Sequence, residues 1–258
     1  MKTVTAFVGA PRRRHTHAAV SQFLENLESL GGVQTDLVTL SDYRIETCRG
    51  CRVCFDKGEE LCPFADDRDV LIRKMSASDG VVFATPTYSF QVSAVMKIFL
   101  DRVGFAFHRP RFFGKAFSSV VVQGIYGGDK VVEYLDFCGG GLGFNTVKGS
   151  CVTSLEPMTE KQRRTTASTI AAHSRRFHAR LERPAFPSPT LFKLMIFRMS
   201  RTSLKLILDD RWRDYRHYAE QGWFKSDYYF PVKLNPLKKA AGSLFDAVAA
   251  RSARRRDQ

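Results

Sequence analysis

The sequence predicts an α/β protein built on a doubly wound, five-stranded parallel sheet, followed by an all-α basic extension. Three observations predict it. Apolar runs of strand length alternate with stretches of helical periodicity up to about residue 155. Polar loops bearing glycine or proline follow the first, third and fourth runs, where the carboxyl ends of parallel strands would lie. Charge is divided unevenly: residues 1–156 hold 18 basic and 17 acidic side chains, whereas residues 157–258 hold 22 and 9. Nearly all of the net +14 therefore belongs to the C-terminal part, which sets a boundary near Glu156.

Each element follows from its own pattern. Residues 2–8 read as a buried strand and 9–16 as a polar loop; Ala18, Phe23, Leu24, Leu27 and Leu30 then fall at helical spacing before the stop at Gly31 and Gly32. Residues 33–40 give the second strand, and a cysteine-rich loop occupies 45–65. Asp66 or Asp67 caps a helix through Met75, and 80–85 is a strongly apolar third strand. A loop at 86–91, a helix at 92–103, a strand at 116–122, a glycine-bearing loop at 123–128, a helix at 129–137 and a fifth strand at 145–152 complete the alternation. The glycine-rich run 139–143 reads as a helix stop, since no strand precedes it to make a dinucleotide fingerprint. A flavodoxin-like strand order is one of two common solutions for such a pattern, and both bind ligands at the carboxyl ends of the strands.

Beyond Glu156 the pattern becomes helical: an Arg-rich helix to about 182, a proline-punctuated break at 183–189, and helices at 190–208, 209–221 and 237–254. An aromatic segment, 223–231, interrupts them. The expected division is 1–156 as the sheet domain and 157–258 as an extension packing on it or on a partner. A hydrophobic content of 44% with 26% charged residues excludes the disordered class. The short apolar start is followed by Pro11 and three arginines, which fits a buried strand better than a secretory signal. Tightly clustered cysteines argue against a secreted disulfide framework, so a cytoplasmic location is expected.

The loops carry the functional signal. Gly9-Ala10-Pro11-Arg12-Arg13, ending in Thr16 at a helix start, offers backbone N–H groups, a hydroxyl and positive charge to an anion. Thr85-Pro86-Thr87-Tyr88-Ser89-Phe90 is followed by Lys97-Ile98-Phe99-Leu100-Asp101-Arg102, and Gln123, Gly124 and Gly127 form a third loop that permits close backbone approach. These loops resemble those of the NADPH-dependent FMN reductase superfamily, in the branch that includes iron-sulfur flavoproteins. Its phosphate loop reads Gly-Ser-Pro-Arg-Lys before a Thr, and its second signature is a Ser-Pro-x-Tyr loop before a Lys-x-Phe-x-Asp-Arg helix. Ala10 stands where the family has Ser, and the first loop is about one residue short.

The resemblance implies a flavodoxin-like fold holding FMN. The phosphate would lie on Gly9, Pro11, Arg12 and Thr16, the ring on Thr85, Pro86, Thr87, Tyr88, Ser89 and Phe90, and Gln123, Gly124 and Gly127 beside it. It implies an NAD(P)H oxidoreductase that reduces a small-molecule acceptor, a quinone, a flavin or another electrophile, and a homodimer with FMN near the interface. The flavin performs such chemistry itself, so no catalytic acid or base is needed. His108, Arg109 and Arg111 are candidates to meet a nicotinamide phosphate.

Cys48, Cys51 and Cys54 are spaced by two residues each, and Cys62 follows after seven more, just before Pro63. Four thiolates so spaced can hold a 4Fe-4S cluster, as in iron-sulfur flavoproteins, which would make the chain an electron carrier between protein partners. Zinc, or a set of reduced or redox-active thiols, fits the same spacing. Cys138 and Cys151 read as buried and inert. In the tail, Lys193, Arg201 and Lys205, with Arg198 beside them, make a basic amphipathic helix suited to packing or to an anionic membrane surface. A surface-binding module on the same fold is thus a further alternative. Nucleic-acid binding has the charge but no recognisable motif.

Overall fold

Strands rich in valine and phenylalanine pair in parallel to form the sheet: β1 (Lys2–Val8), β2 (Val33–Thr39), β3 (Gly80–Pro86), β4 (Ala116–Gln123), β5 (Asn145–Thr146) and β6 (Ser150–Thr153). The computed structural model describes residues 1–183 and 185–255, so Pro184 of the expected break and Arg256 of the basic end lie outside the described residues. The strand order is β2-β1-β3-β4-β5, with β6 also on β4, which is the flavodoxin-like order. The expected fifth strand is therefore present in two pieces. Ala116 and Phe117 face Asn145 and Thr146, but Val120 and Val121 face Ser150 and Cys151, so the outer strand carries one extra residue.

Side chains satisfy the backbone groups freed by this bulge. Ser118 Oγ donates to the Val147 carbonyl at 2.9 Å, and Asp136 accepts from the Gly149 N–H at 3.0 Å and from Ser119 Oγ at 2.9 Å. Burial raises the Asp136 pKa, and those two donors oppose the rise.

Alternation along the strands gives the two faces different chemistry. Val4, Ala6, Val8, Val82, Ala84, Val120 and Val122 pack against α1 (His15–Ser29) and α7 (Glu160–Leu181) through Val20, Phe23, Leu24, Ile170 and Phe177. The other face is phenylalanine. Phe7 stacks on Phe99 of α4 (Ala94–Arg102) at 5.9 Å, and Phe83 meets Phe7, Phe99 and Phe117 edge-on. Helix α6 (Gly128–Gly141) lies on this face, and the glycines expected to stop it lie inside it. A Cβ on Gly139 would fall 2.2 Å from the Phe117 ring, and one on Gly141 2.7 Å from Phe107. They are packing glycines, and the helix ends before Gly143, whose φ is +104°.

The chain divides into two units, Met1–Arg49 with Phe64–Ala185 and Gly50–Pro63 with the chain from Phe186 onward. The division after Ala185 differs from the expected boundary at Glu156. Helix α7, for all its arginines, turns Ile170, His173, Ser174 and Phe177 inward to cover the sheet. Ser118 spends its single proton on Val147, so His173 Nε2 donates to Ser118 Oγ at 2.6 Å and Nδ1 accepts from Ser150 Oγ at 2.8 Å. The first unit also holds α3 (Arg68–Ala77) and α5 (Phe105–His108).

The second unit contains α2 (Val53–Asp56), α8 (Leu191–Ile207), α9 (Arg213–Glu220) and α10 (Pro236–Arg254). Helices α8 and α10 run side by side in the same direction: Lys238 Nζ bonds Ser188 Oγ near their starts, and Arg201 bonds Asp246 further along. Arg198 and Arg201, expected on a solvent-facing basic stripe, turn inward to Asp227 and Asp246. The aromatic segment packs around Trp223, whose Nε1 donates to the Tyr229 carbonyl at 2.9 Å.

Burial drives the His173 pKa from 6.5 down to about 3. The folded state thus binds fewer protons than the unfolded chain between those values. Stability contributed by neutral His173 is complete above pH 6.5, falls by about 1.4 kcal/mol per pH unit as pH drops, and is lost by about pH 3. Urea midpoints measured from pH 7 to 4.5 should show that slope, and a His173→Gln chain should show a shallower one.

Candidate functional site

The crevice between β1 and β3 is where the strand order reverses, and the first two polar loops meet there. The Gly9 N–H donates to the Ala84 carbonyl at 2.8 Å, and Ser93 Oγ donates to the Gly9 carbonyl while capping α4 through the Met96 N–H. A Cβ on Gly9 would lie 2.6 Å from Met96 Cβ, so only glycine lets the loop approach α4 this closely. Pro11, Arg12, Arg13 and Arg14 are exposed, and Thr16 is buried in the first turn of α1. Helix α1 starts after Arg14 with no side-chain cap and no acid in its first turn, and the nearby carboxylates of Glu156 and Asp42 are engaged by His15 at 2.9 Å and Arg13 at 2.8 Å.

Behind this loop His17 Nε2 meets Thr39 Oγ1 at 3.1 Å. Burial lowers its pKa, opposed by the Arg12 carbonyl, so the ring is neutral near pH 7.

The second loop is a tight hairpin. Tyr88 and Gln91 exchange backbone hydrogen bonds at 2.9 Å, and Ser89 and Phe90 both have positive φ, 48° and 61°. The Thr85 hydroxyl is engaged within the loop, accepting from the Ser93 N–H and donating to the Pro86 carbonyl. Thr87 differs: its N–H is held by the Val122 carbonyl, but its buried Oγ1 has no hydrogen-bond partner. A buried hydroxyl left without a partner is uncommon in packed interiors and marks this loop out.

The third loop closes against the second. Phe90 packs on Gly127, where a Cβ would lie 2.7 Å from its ring, and its ring centroid is 5.3 Å from Tyr126. Gln123 Oε1 accepts from the Gly128 N–H, whereas Gly124 has open space around it. The structure thus brings together all three predicted loops, with Tyr88, Phe90, Ile125 and Tyr126 exposed on their outer side. Two concave regions among the described residues are lined by other elements. One, of about 320 Å³, lies between α1 and α7 and includes His15, Gln22, Ser154 and Arg163; the other, of about 670 Å³, lies in the second unit around Trp223 and Phe230.

Arg102, read in the sequence only as part of a motif, has a structural role that the motif did not reveal. It lies fully buried at the end of α4, with Nη1 2.6 Å and Nη2 3.1 Å from the two oxygens of Asp66 and Nη1 3.1 Å from the Glu46 carbonyl. Asp66 also accepts from the N–H groups of Glu46 and Arg68, and Asp67 from that of Arg44. Both ends of the cysteine loop are thus tied to α4. Asp66 rather than Asp67 serves the start of α3.

Cys48 and Cys51 are exposed, Cys54 and Cys62 half-buried. Among the described residues no three His, Cys, Asp or Glu side chains are gathered to hold a metal ion. Cys48 belongs to the first unit and the other three to the second, where Arg216 Nη2 donates to the Lys57 carbonyl at 2.9 Å. Arg109 is fully buried with its charge 5.7 Å from the Phe105 ring centroid, whereas His108 is exposed and Arg111 half-buried, so of the three candidates for a nicotinamide phosphate Arg109 is the one withdrawn from solvent. Cys138 is buried as expected but Cys151 only half-buried, and burial raises the thiol pKa of Cys138, and that of Cys151 to about 11.

A doubly wound sheet with three loops converging at its switch point is the class of a nucleotide-type binding protein. Residues 2–155 match the family described as NADPH-dependent FMN reductase, and the chain belongs to that family. It is 36% identical over 138 residues to an iron-sulfur flavoprotein of Archaeoglobus fulgidus, covering 53% of this chain and 61% of that one. A Methanosarcina thermophila iron-sulfur flavoprotein is 29% identical over 99 residues, 38% of this chain and 51% of the relative. The matched segments span less than two thirds of these relatives. Among solved structures, RosB with a bound 8-demethyl-8-formylriboflavin-5'-phosphate intermediate superposes with a TM-score of 0.59 at 15% identity, over 92% of both chains. An NAD(P)H:quinone oxidoreductase of Methanothermobacter marburgensis gives 0.54 at 16% identity, over 67% of this chain and 98% of that one. Both likenesses are of fold.

Replacing Asp66 by Leu strands the Arg102 charge in the interior, and the expected cost is about 3–5 kcal/mol. Urea unfolding measures it, and limited proteolysis should cut the 45–65 loop faster in the variant.

Proposed function

We propose that the chain is an FMN-dependent NAD(P)H oxidoreductase that passes electrons to a small electrophilic acceptor, a quinone or a free flavin. The reading is carried by one observation: an uncapped, acid-free helix start flanked by arginines lies beside a strained loop holding an unpartnered buried hydroxyl. The family assignment and the names of the fold neighbours support it.

The chain's residues then divide the work. Gly9, Pro11, Arg12 and Thr16 receive the phosphate on the helix dipole, with Arg13 turned to Asp42 at 2.8 Å. Thr85 holds the second loop closed, while Thr87, Tyr88, Ser89 and Phe90 face the ring with Gln123, Gly124 and Gly127 beside them. FMN when bound supplies the redox chemistry, taking a hydride equivalent from the nicotinamide and giving up electrons singly or in pairs. The protein's part is to bind and orient. The exposed group of Tyr88, Phe90, Ile125 and Tyr126 supports a homodimer that covers this edge. A second reading, the electron carrier with a cluster, is favoured by the Cys48–Cys62 spacing and by the iron-sulfur relatives, and about four iron atoms per chain on anaerobic purification would establish it.

Purified chain should show flavin bands near roughly 370 and 450 nm that bleach on adding NADPH or NADH. A colourless protein that takes up no FMN contradicts the reading. Thr87→Val removes only the unpartnered hydroxyl, so apo-protein stability should change by less than about 0.5 kcal/mol while FMN affinity falls roughly five- to tenfold. Light scattering should report a dimer, and Tyr126→Glu should shift it toward monomer.

A further inference from the structure

Helices α8 and α10 each leave an apolar stripe in solvent. On α8 it runs through Phe192, Ile196, Leu206 and Ile207, opposite the buried Leu194, Phe197 and Arg198. On α10 it runs through Leu237, Leu244 and Val248, opposite the buried Gly242, Ala249 and Ala253. The helices lie side by side in the same direction, so the stripes extend along one helix pair. No helix is long and apolar enough to cross a membrane among the described residues.

Charge identifies what covers these stripes. Helix α8 carries no acidic residue, and α10 carries only Asp246, which is consumed by Arg198 and Arg201. Arg251 and Arg255 are exposed on the apolar side of α10 and Arg254 flanks it, whereas Lys205 and Lys239 are exposed on the far sides of their helices. A second copy would set like charges against like around a two-fold axis. A nucleic acid would match the charge but leave the leucine, isoleucine and phenylalanine side chains in water. An anionic bilayer satisfies both, taking the apolar side chains below its headgroups and the cations among its phosphates.

We propose that the α8–α10 pair is a peripheral docking surface for an anionic membrane. The proposal stands on the second unit alone and does not rest on the flavin reading.

The test is co-sedimentation of the full chain with vesicles of phosphatidylcholine alone or with about 30% phosphatidylglycerol. Binding should be at least about tenfold stronger to the anionic vesicles and should weaken with added salt. Phe192→Glu with Ile207→Glu should remove most of it, with far-UV circular dichroism and light-scattering mass unchanged. Arg251→Glu with Arg255→Glu should weaken anionic binding without changing the mass. Failure of the wild-type chain to bind, or binding indifferent to the apolar substitutions, overturns the proposal. A smaller assembly in the Phe192/Ile207 variant overturns it in favour of a copy-to-copy interface, and retention on duplex DNA that survives those substitutions overturns it in favour of nucleic acid.

Discussion

The buried ion pair between Arg102 and Asp66 is the constraint through which the loops of the first unit are coupled. Its two charges are almost wholly removed from water, which is tolerable because Asp66 accepts four hydrogen bonds and Arg102 also donates to the Glu46 carbonyl. Asp66 fastens Glu46 and Arg68, the two ends of the cysteine loop, and Arg102 fastens Asp66 to α4. Ser93, at the other end of α4, holds Gly9. The chain at Glu46 and Asp66, the hairpin and the loop after β1 are therefore held by one short helix, whose Phe99 sits in the aromatic face of the sheet.

This arrangement explains why the motif Lys97-Ile98-Phe99-Leu100-Asp101-Arg102 lies where it does. Phe99 anchors the helix in the core and Arg102 anchors the loop on the helix. Neither residue needs to touch a ligand. The groups free to do so are few, chiefly the first turn of α1, the Arg12 region and Thr87.

The strand order and the three loops at the strand ends were legible because they depend on local pattern: apolar runs of strand length, and glycine, proline and threonine at their ends. The role of α7 was not legible, since its arginines dominate its composition while four inward residues decide its packing. Gly139 and Gly141 misled for a similar reason, because a glycine that admits a neighbouring phenylalanine is indistinguishable in sequence from one that ends a helix. The inward turn of Arg198 and Arg201 depends on Asp246, which is distant in sequence, and periodicity alone cannot reveal such a pairing. Ser93 carried a readable signal, a serine just ahead of a helix, but not its second bond to Gly9.

The most direct measurement is the affinity of the apo-protein for FMN against riboflavin, followed by flavin fluorescence quenching. If the α1 start is the phosphate site, FMN binds at least about tenfold more tightly, and Arg12→Ala narrows the gap. Equal affinities for the two, unchanged by Arg12→Ala, would contradict it.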